Sequence, residues 1–387
     1  MKFASIIRII FYLIWILTFF YVFEFILFTK NIIYQNKTNL PLPDSIDRLK
    51  IYQKYNLKDY DFFSPTEFFL YNKKQILPDI IENPNSTYPT FGAISNKLTF
   101  FISNEDGKYH SYLSDRYGFN NDDNIFTNDP NDISTIFLGD SFVEGYAVNQ
   151  KDHFISLLNN KNIYNLGMGG SSTLKQLAAL KEFKNLFKLK SLYIFFFAGD
   201  DYNKILTEYG DEKLVKYLEL DFTNNIQNKM QTINELNMDY LNDFYEQKEE
   251  IKIKKKLPAI ISFIKLFNIR NLFPNLSRSR QNHKKTMIVF EKILEQIKRL
   301  SQEDKFSVNF IYLPDYDSIY FNKKPFWYDD LINLTKSKNI KVYDFQDYIK
   351  GKALSINELY PFGLEAHFSN KGNYFLAEFI NKIAVNK

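Results

Sequence analysis

Four histidines occur in the 387 residues, at positions 110, 153, 283 and 367, and there is no cysteine. Proton transfer near neutral pH therefore has few candidate carriers. Thiolate nucleophiles, disulfides and thiolate zinc sites are excluded. His367 stands in Gly363-Leu364-Glu365-Ala366-His367-Phe368-Ser369-Asn370-Lys371-Gly372, a loop ahead of an apolar terminal stretch. Glu365, two residues earlier, is close enough in the chain to accept the second ring N–H and fix the tautomer. Ser141, in Gly139-Asp140-Ser141 directly after an apolar run, is the matching hydroxyl. Serine, base and orienting acid form the acyl-transfer constellation, which is recognised by geometry rather than chain order.

Each residue also has a plainer role. A serine entering a helix is a common N-cap. Asn165-Leu166-Gly167-Met168-Gly169-Gly170 lets a backbone N–H approach a ligand, or simply makes a tight turn. Asp200 and Asp201, in Gly199-Asp200-Asp201-Tyr202-Asn203, suit a metal or solvent equally. Of the other histidines, His110 precedes the main sheet. His283 sits beside Lys284 and Lys285, and His153 follows Asp152 on a surface-like pattern.

The elements that must position these residues begin near Ser134. Apolar strands are predicted at 135–138, 162–166, 191–197, 306–313 and 340–345, with helices at 152–159, 173–186, 286–300, 325–337 and 370–384. Strands alternating with helices predict a mainly parallel sheet of about five strands, covered on both faces as a three-layer α/β sandwich. Ligands bind such sheets beyond the carboxyl ends of the strands, where Ser141, Gly170 and Asp200 all fall. Residues 203–285 interrupt the rhythm with a charged, Asn-rich insertion read as a helical cap. Within it, Ala259–Phe267 is apolar enough to pack on the domain. Residues 30–130 form an irregular segment packing on the main domain, which spans 131–387.

The opening residues carry a different signal. Residues 6–28 read IIRIIFYLIWILTFFYVFEFILF, with only Arg8 and Glu24 charged. That length suffices to span ~30 Å of hydrocarbon, which predicts an uncleaved transmembrane anchor over residues 1–29. A secretory signal would be shorter and end in small residues, whereas Thr29-Lys30-Asn31-Ile32 follows. Lys2 and Arg8 favour a cytoplasmic N-terminus and a domain outside the cytoplasm. Basic and acidic residues nearly balance, 49 against 45, so nucleic acid is not an expected partner.

Taken together the blocks resemble, in order, the signatures of the SGNH or GDSL hydrolase family. Gly139-Asp140-Ser141 resembles its nucleophile block and Asn165-x-Gly167-x-x-Gly170 its second block. Phe197-Ala198-Gly199-Asp200-Asp201 is similar to the third, and Glu365-x-His367-Phe368-Ser369-x-x-Gly372 to the last. Ser114-Asp115-Arg116-Tyr117-Gly118-Phe119-Asn120 resembles a lead-in of bacterial envelope-associated members. The resemblance covers roughly residues 114–204 and 286–384. It implies a flavodoxin-like SGNH fold, with an oxyanion met by the N–H groups of Ser141 and Gly170. The chain departs from the family at Asp200, where an Asn normally donates to the oxyanion. Losing one such donor costs ~3–4 kcal/mol. A protonated Asp200 or the amide of Asn203 could replace it.

The expected function is a serine esterase or O-acyltransferase working through acyl-Ser141, with Ser141, His367 and Glu365 as triad and no cofactor. The resemblance implies acetyl esters of a cell-envelope glycan, or small esters, as substrate. Transfer would require a multi-span partner supplying the acyl donor. The rival classes are a non-catalytic glycan-binding or assembly protein, and a metal enzyme using Asp140, Asp200, Asp201 and His367.

Overall fold

The computed structural model describes residues 8, 11–26, 29, 61–63, 88–101, 105, 106, 110–126, 132–146, 148–239 and 274–385. These fall into two compact units, the smaller of which contains the helix of residues 11–26. Among the described residues no helix is long and apolar enough to cross a membrane. The rest of the predicted anchor, and Ala259–Phe267, lie outside the described residues.

The larger unit is built on five strands, β4 (Thr135–Gly139), β5 (Ile163–Gly167), β6 (Ser191–Phe197), β7 (Ser307–Leu313) and β8 (Lys341–Asp344). Their order is β5-β4-β6-β7-β8 and every pairing is parallel. Side chains alternate between faces along each strand. Ile136, Leu138, Leu192, Ile194 and Phe196 pack into one core, with helices α1 (Thr173–Phe183), α2 (Pro274–Glu303) and α3 (Tyr328–Ser337). Phe137, Tyr193, Phe195 and Ile311 pack into the other, with α4 (Phe345–Gly351) and α5 (Asn370–Val385). This is the expected three-layer α/β sandwich. Because both faces are buried, the central strands β4 and β6 read as near-continuous apolar runs. The chain reverses its winding between β4 and β6, and that switch point opens a crevice for ligands at the carboxyl ends.

Three expectations change. Residues 152–159 are not a helix; Gln150–Asp152 form a 3₁₀ turn and Phe154 is driven fully into the second core. The 30–130 segment, read as irregular, is regular in part among the described residues. It supplies a small sheet of β1 (Asp61–Phe63), β2 (Leu98–Phe100) and β3 (Ser111–Leu113), with β2 antiparallel to β3. The 203–285 insertion, read as a helical cap, is helical at its start, in Asp201–Tyr209 and Glu212–Val215, and its described part joins the main core. Ile205, Leu214, Tyr217, Ile226 and Ile233 are buried in the main core.

Candidate active site

β4 ends at Gly139 and the chain turns at once into a one-turn helix, Ser141–Glu144. Asp140, rather than Ser141, caps it, accepting the Phe142 N–H at 3.0 Å. The capping role open to Ser141 is therefore taken by its neighbour, and the serine hydroxyl points elsewhere. Its Oγ lies 2.7 Å from His367 Nε2, within proton-sharing distance. The imidazole rests against Phe142 and Tyr146, with ring centroids 4.9 and 4.4 Å away.

The acid on the far side of the ring is Glu105. Its two carboxylate oxygens lie 3.0 and 3.1 Å from His367 Nδ1, and one also accepts the His367 backbone N–H at 2.6 Å. Glu365, expected in this role, is exposed; its charge is felt by Tyr316 and Tyr360. The correction has a simple cause. His367 is followed immediately by Phe368, which is buried in the second core. That anchors the imidazole toward Ser141 and leaves Nδ1 facing the segment between β2 and β3. Glu105 sits 262 residues from the histidine, in a stretch without periodicity, so no spacing could have marked it.

Counting backbone donors along the loop after β5 shows which N–H groups are unclaimed. After β5, Gly167 N–H donates to Asn165 Oδ1, Met168 N–H to the Gly139 carbonyl and Gly169 N–H to Glu144 Oε2. Ser171 N–H donates to the Met168 carbonyl and Ser172 N–H to Glu208 Oε1. Among the described residues only the Gly170 N–H in this run has no acceptor. Gly170 adopts φ +67°, a left-handed conformation that glycine enters without strain. The Ser141 N–H likewise donates to no described group. Both follow the paired ends of β4 and β5, where Gly139 faces Gly167, and both are residues to which the resemblance assigns oxyanion donors.

The loop carrying Gly170 is held from three directions. Ser171 Oγ donates to the Gly139 carbonyl at 3.1 Å, and Ser172 Oγ to the Asp201 carbonyl at 2.8 Å. Glu208 also accepts the Leu174 and Lys175 N–H groups at the start of α1, each at 3.1 Å, where the helix dipole favours a carboxylate. Gly167 must be glycine. A Cβ there would lie 2.2 Å from the Glu144 backbone nitrogen.

Asp200 stands at the end of β6, half-exposed, its carboxylate bonded to Lys204 Nζ at 2.6 Å. Asn203 is exposed on the first turn of helix Asp201–Tyr209. Asp201 is fully buried, with one oxygen accepting the Phe197 N–H at 2.9 Å and the other without a hydrogen-bond partner. Burial and the nearby Asp140 push its carboxyl well above the usual range. Burial also raises Asp140 to about 6, against the pull of the Phe142 N–H and the His367 and Lys204 charges. Asp201 is thus the acid at this strand end that its surroundings push toward the neutral form.

The lead-in motif proves to be a brace. Asp115, fully buried, accepts the Tyr117 and Phe119 N–H groups, Asn121 Nδ2 and the Tyr164 hydroxyl. Asn121 exchanges two hydrogen bonds with the Asn165 backbone, and Asn120 Nδ2 donates to the Glu144 carbonyl. His153, read as surface, is buried. Burial lowers it to about 4, and it stays neutral against the Phe142 carbonyl. His110 is buried between Asp106 and Asn149. Among the described residues no group of three or more histidine and acidic side chains is arranged to hold a metal ion.

Compared with known proteins, the chain matches no family model, and no curated protein matches it significantly.

Proposed function

We propose that the chain is a serine-dependent enzyme that hydrolyses or transfers acyl esters, of the SGNH or GDSL type. One observation carries the reading: Ser141 Oγ is 2.7 Å from His367 Nε2 while Glu105 holds Nδ1. In this reading His367 takes the Ser141 proton as Oγ attacks the ester carbonyl. Glu105 keeps Nδ1 protonated and stabilises the imidazolium that forms. The carbonyl oxygen gains its charge facing the N–H groups of Ser141 and Gly170. Collapse expels the alcohol, which receives the proton from His367 and leaves acyl-Ser141. Water or a second hydroxyl, deprotonated by the same histidine, then releases the acyl group.

The acyl group is proposed to be acetyl, carried on a cell-envelope glycan. The lead-in motif and the apolar residues 6–28 support that setting, with residues 6–28 as a membrane anchor and the domain outside the cytoplasm. Transfer, rather than hydrolysis, would draw its acyl donor from a multi-span partner. Release of acetate from p-nitrophenyl acetate or acetylated glycan is the test. Wild type should turn over and Ser141→Ala should not; equal rates for the two would end the proposal.

Asp200 favours a second reading, a non-catalytic glycan-binding relative. A carboxylate oxygen that accepts from Lys204 offers no donor to an oxyanion. Glycan binding that persists in Ser141→Ala and His367→Ala, with no wild-type turnover, would select it. On the enzymatic reading Asp200→Asn should instead raise kcat, on the order of tenfold to a hundredfold.

A further inference from the structure

The acid of the triad and the oxyanion loop come from distant parts of the chain, yet one buried side chain touches the supports of both. Glu144 is 3% exposed and closes the helix that begins at Ser141. Its Oε1 accepts the Tyr112 hydroxyl at 3.0 Å, and its Oε2 accepts the Gly169 N–H at 2.7 Å. Tyr112 is the central residue of β3. The chain between β2 and β3 carries Glu105, and its base is closed by the Phe101 N–H donating to the His110 carbonyl at 3.0 Å. Phe101 packs on Tyr112 and on Tyr146, with centroids 5.3 and 4.8 Å apart, and Tyr146 lies against the His367 ring. On the other side, Gly169 directly precedes the residue whose N–H is unclaimed.

We propose that Glu144 is a positioning residue that couples the Glu105-bearing segment to the oxyanion loop, so that one carboxylate sets both the acid and the Gly170 N–H. The proposal deepens the acyl-transfer reading and rests on it for its catalytic consequence. The mechanical link stands on the contacts alone. Glu144 touches neither His367 nor the place of a substrate, so its effect passes through Tyr112 and Gly169. Burial raises its carboxyl to about 7, while the Tyr112 hydroxyl, the Gly169 N–H and the His367 charge hold it down.

Tyr112→Phe is the cleanest test, since it keeps the ring on Phe101 and removes only the hydroxyl. Amide hydrogen exchange of the full chain should accelerate about tenfold or more both around Glu105 and across residues 168–172, a loop Tyr112 does not touch. Glu144→Gln should do the same and should lower kcat with KM unchanged. Faster exchange confined to residues 101–112 would overturn the coupling. So would unchanged kcat in a Glu144→Gln protein whose wild type turns over. Absence of wild-type turnover would remove the acyl-transfer reading but leave the exchange result to decide the coupling.

Discussion

In the proposed mechanism His367 serves as a base at Nε2 while Nδ1 keeps its proton, and Glu105 is the carboxylate placed to hold that proton. Glu105→Gln preserves shape but removes the negative charge and lets the wrong tautomer form. It should lower kcat on the order of 10²–10⁴-fold with little change in KM. Glu365→Gln, at an exposed position, should change kcat less than about threefold. Steady-state rates on a nitrophenyl ester separate the two; the reverse order would restore Glu365 as the acid. The serine and histidine were legible because each sits beside a strong pattern: an apolar strand with glycine before Ser141, an apolar helix after His367. Glu105 was not. Its flanks lack periodicity, and the partner that gives it meaning is remote in the chain.

Among the elements, the short turns that follow β4 and β5 do most of the positioning. Gly167→Ala would force a Cβ to 2.2 Å from the Glu144 backbone, where no side chain can swing aside. It should cost more than about 2 kcal/mol, seen as a lowered denaturant midpoint. Gly170→Ala meets a different obstacle, its φ of +67°, worth ~1–2 kcal/mol in a non-glycine residue. That variant should fold, and lose kcat because the unclaimed N–H turns away. Unaltered turnover in folded Gly170→Ala would show that the N–H is not an oxyanion donor. β4 and β6 were the most readable because parallel strands buried on both faces are near-continuous apolar runs, whereas the edge strand β8 is only partly buried. The 152–159 stretch misled because its polar residues mimic a surface helix. The two aromatic-ring residues at its start, His153 and Phe154, are in fact buried. Of the small β1-β2-β3 sheet only the apolar run that holds β2 was legible, because three-residue strands carry too short an alternation to read.

Across the whole molecule, buried carboxylates govern the response to pH. Burial raises Glu144 from 4.5 to about 7 and Asp115 from 3.8 to about 6. The folded state thus holds these protons more tightly than the unfolded chain. The stability they lend is full below about pH 4 and is lost as pH climbs through 6 and 7. Each contributes roughly 3 kcal/mol across its window. His153, lowered to about 4, works the other way up to about pH 6.5, but the raised carboxyls of Asp115, Asp140, Glu144 and Glu208 outnumber it. Thermal unfolding midpoints should therefore fall between about pH 5 and 7, and Glu144→Gln should flatten part of that slope; a midpoint that rises over this range would contradict the assignment. The most direct test of the central claim is covalent labelling of the full chain with a fluorophosphonate, located by peptide mass spectrometry. A mechanism resting on Ser141, His367 and Glu105 predicts one adduct, on Ser141. It should be lost in His367→Ala and slowed in Glu105→Gln but not in Glu365→Gln. Wild-type protein that takes up no label, or label that forms equally well in His367→Ala, would contradict it.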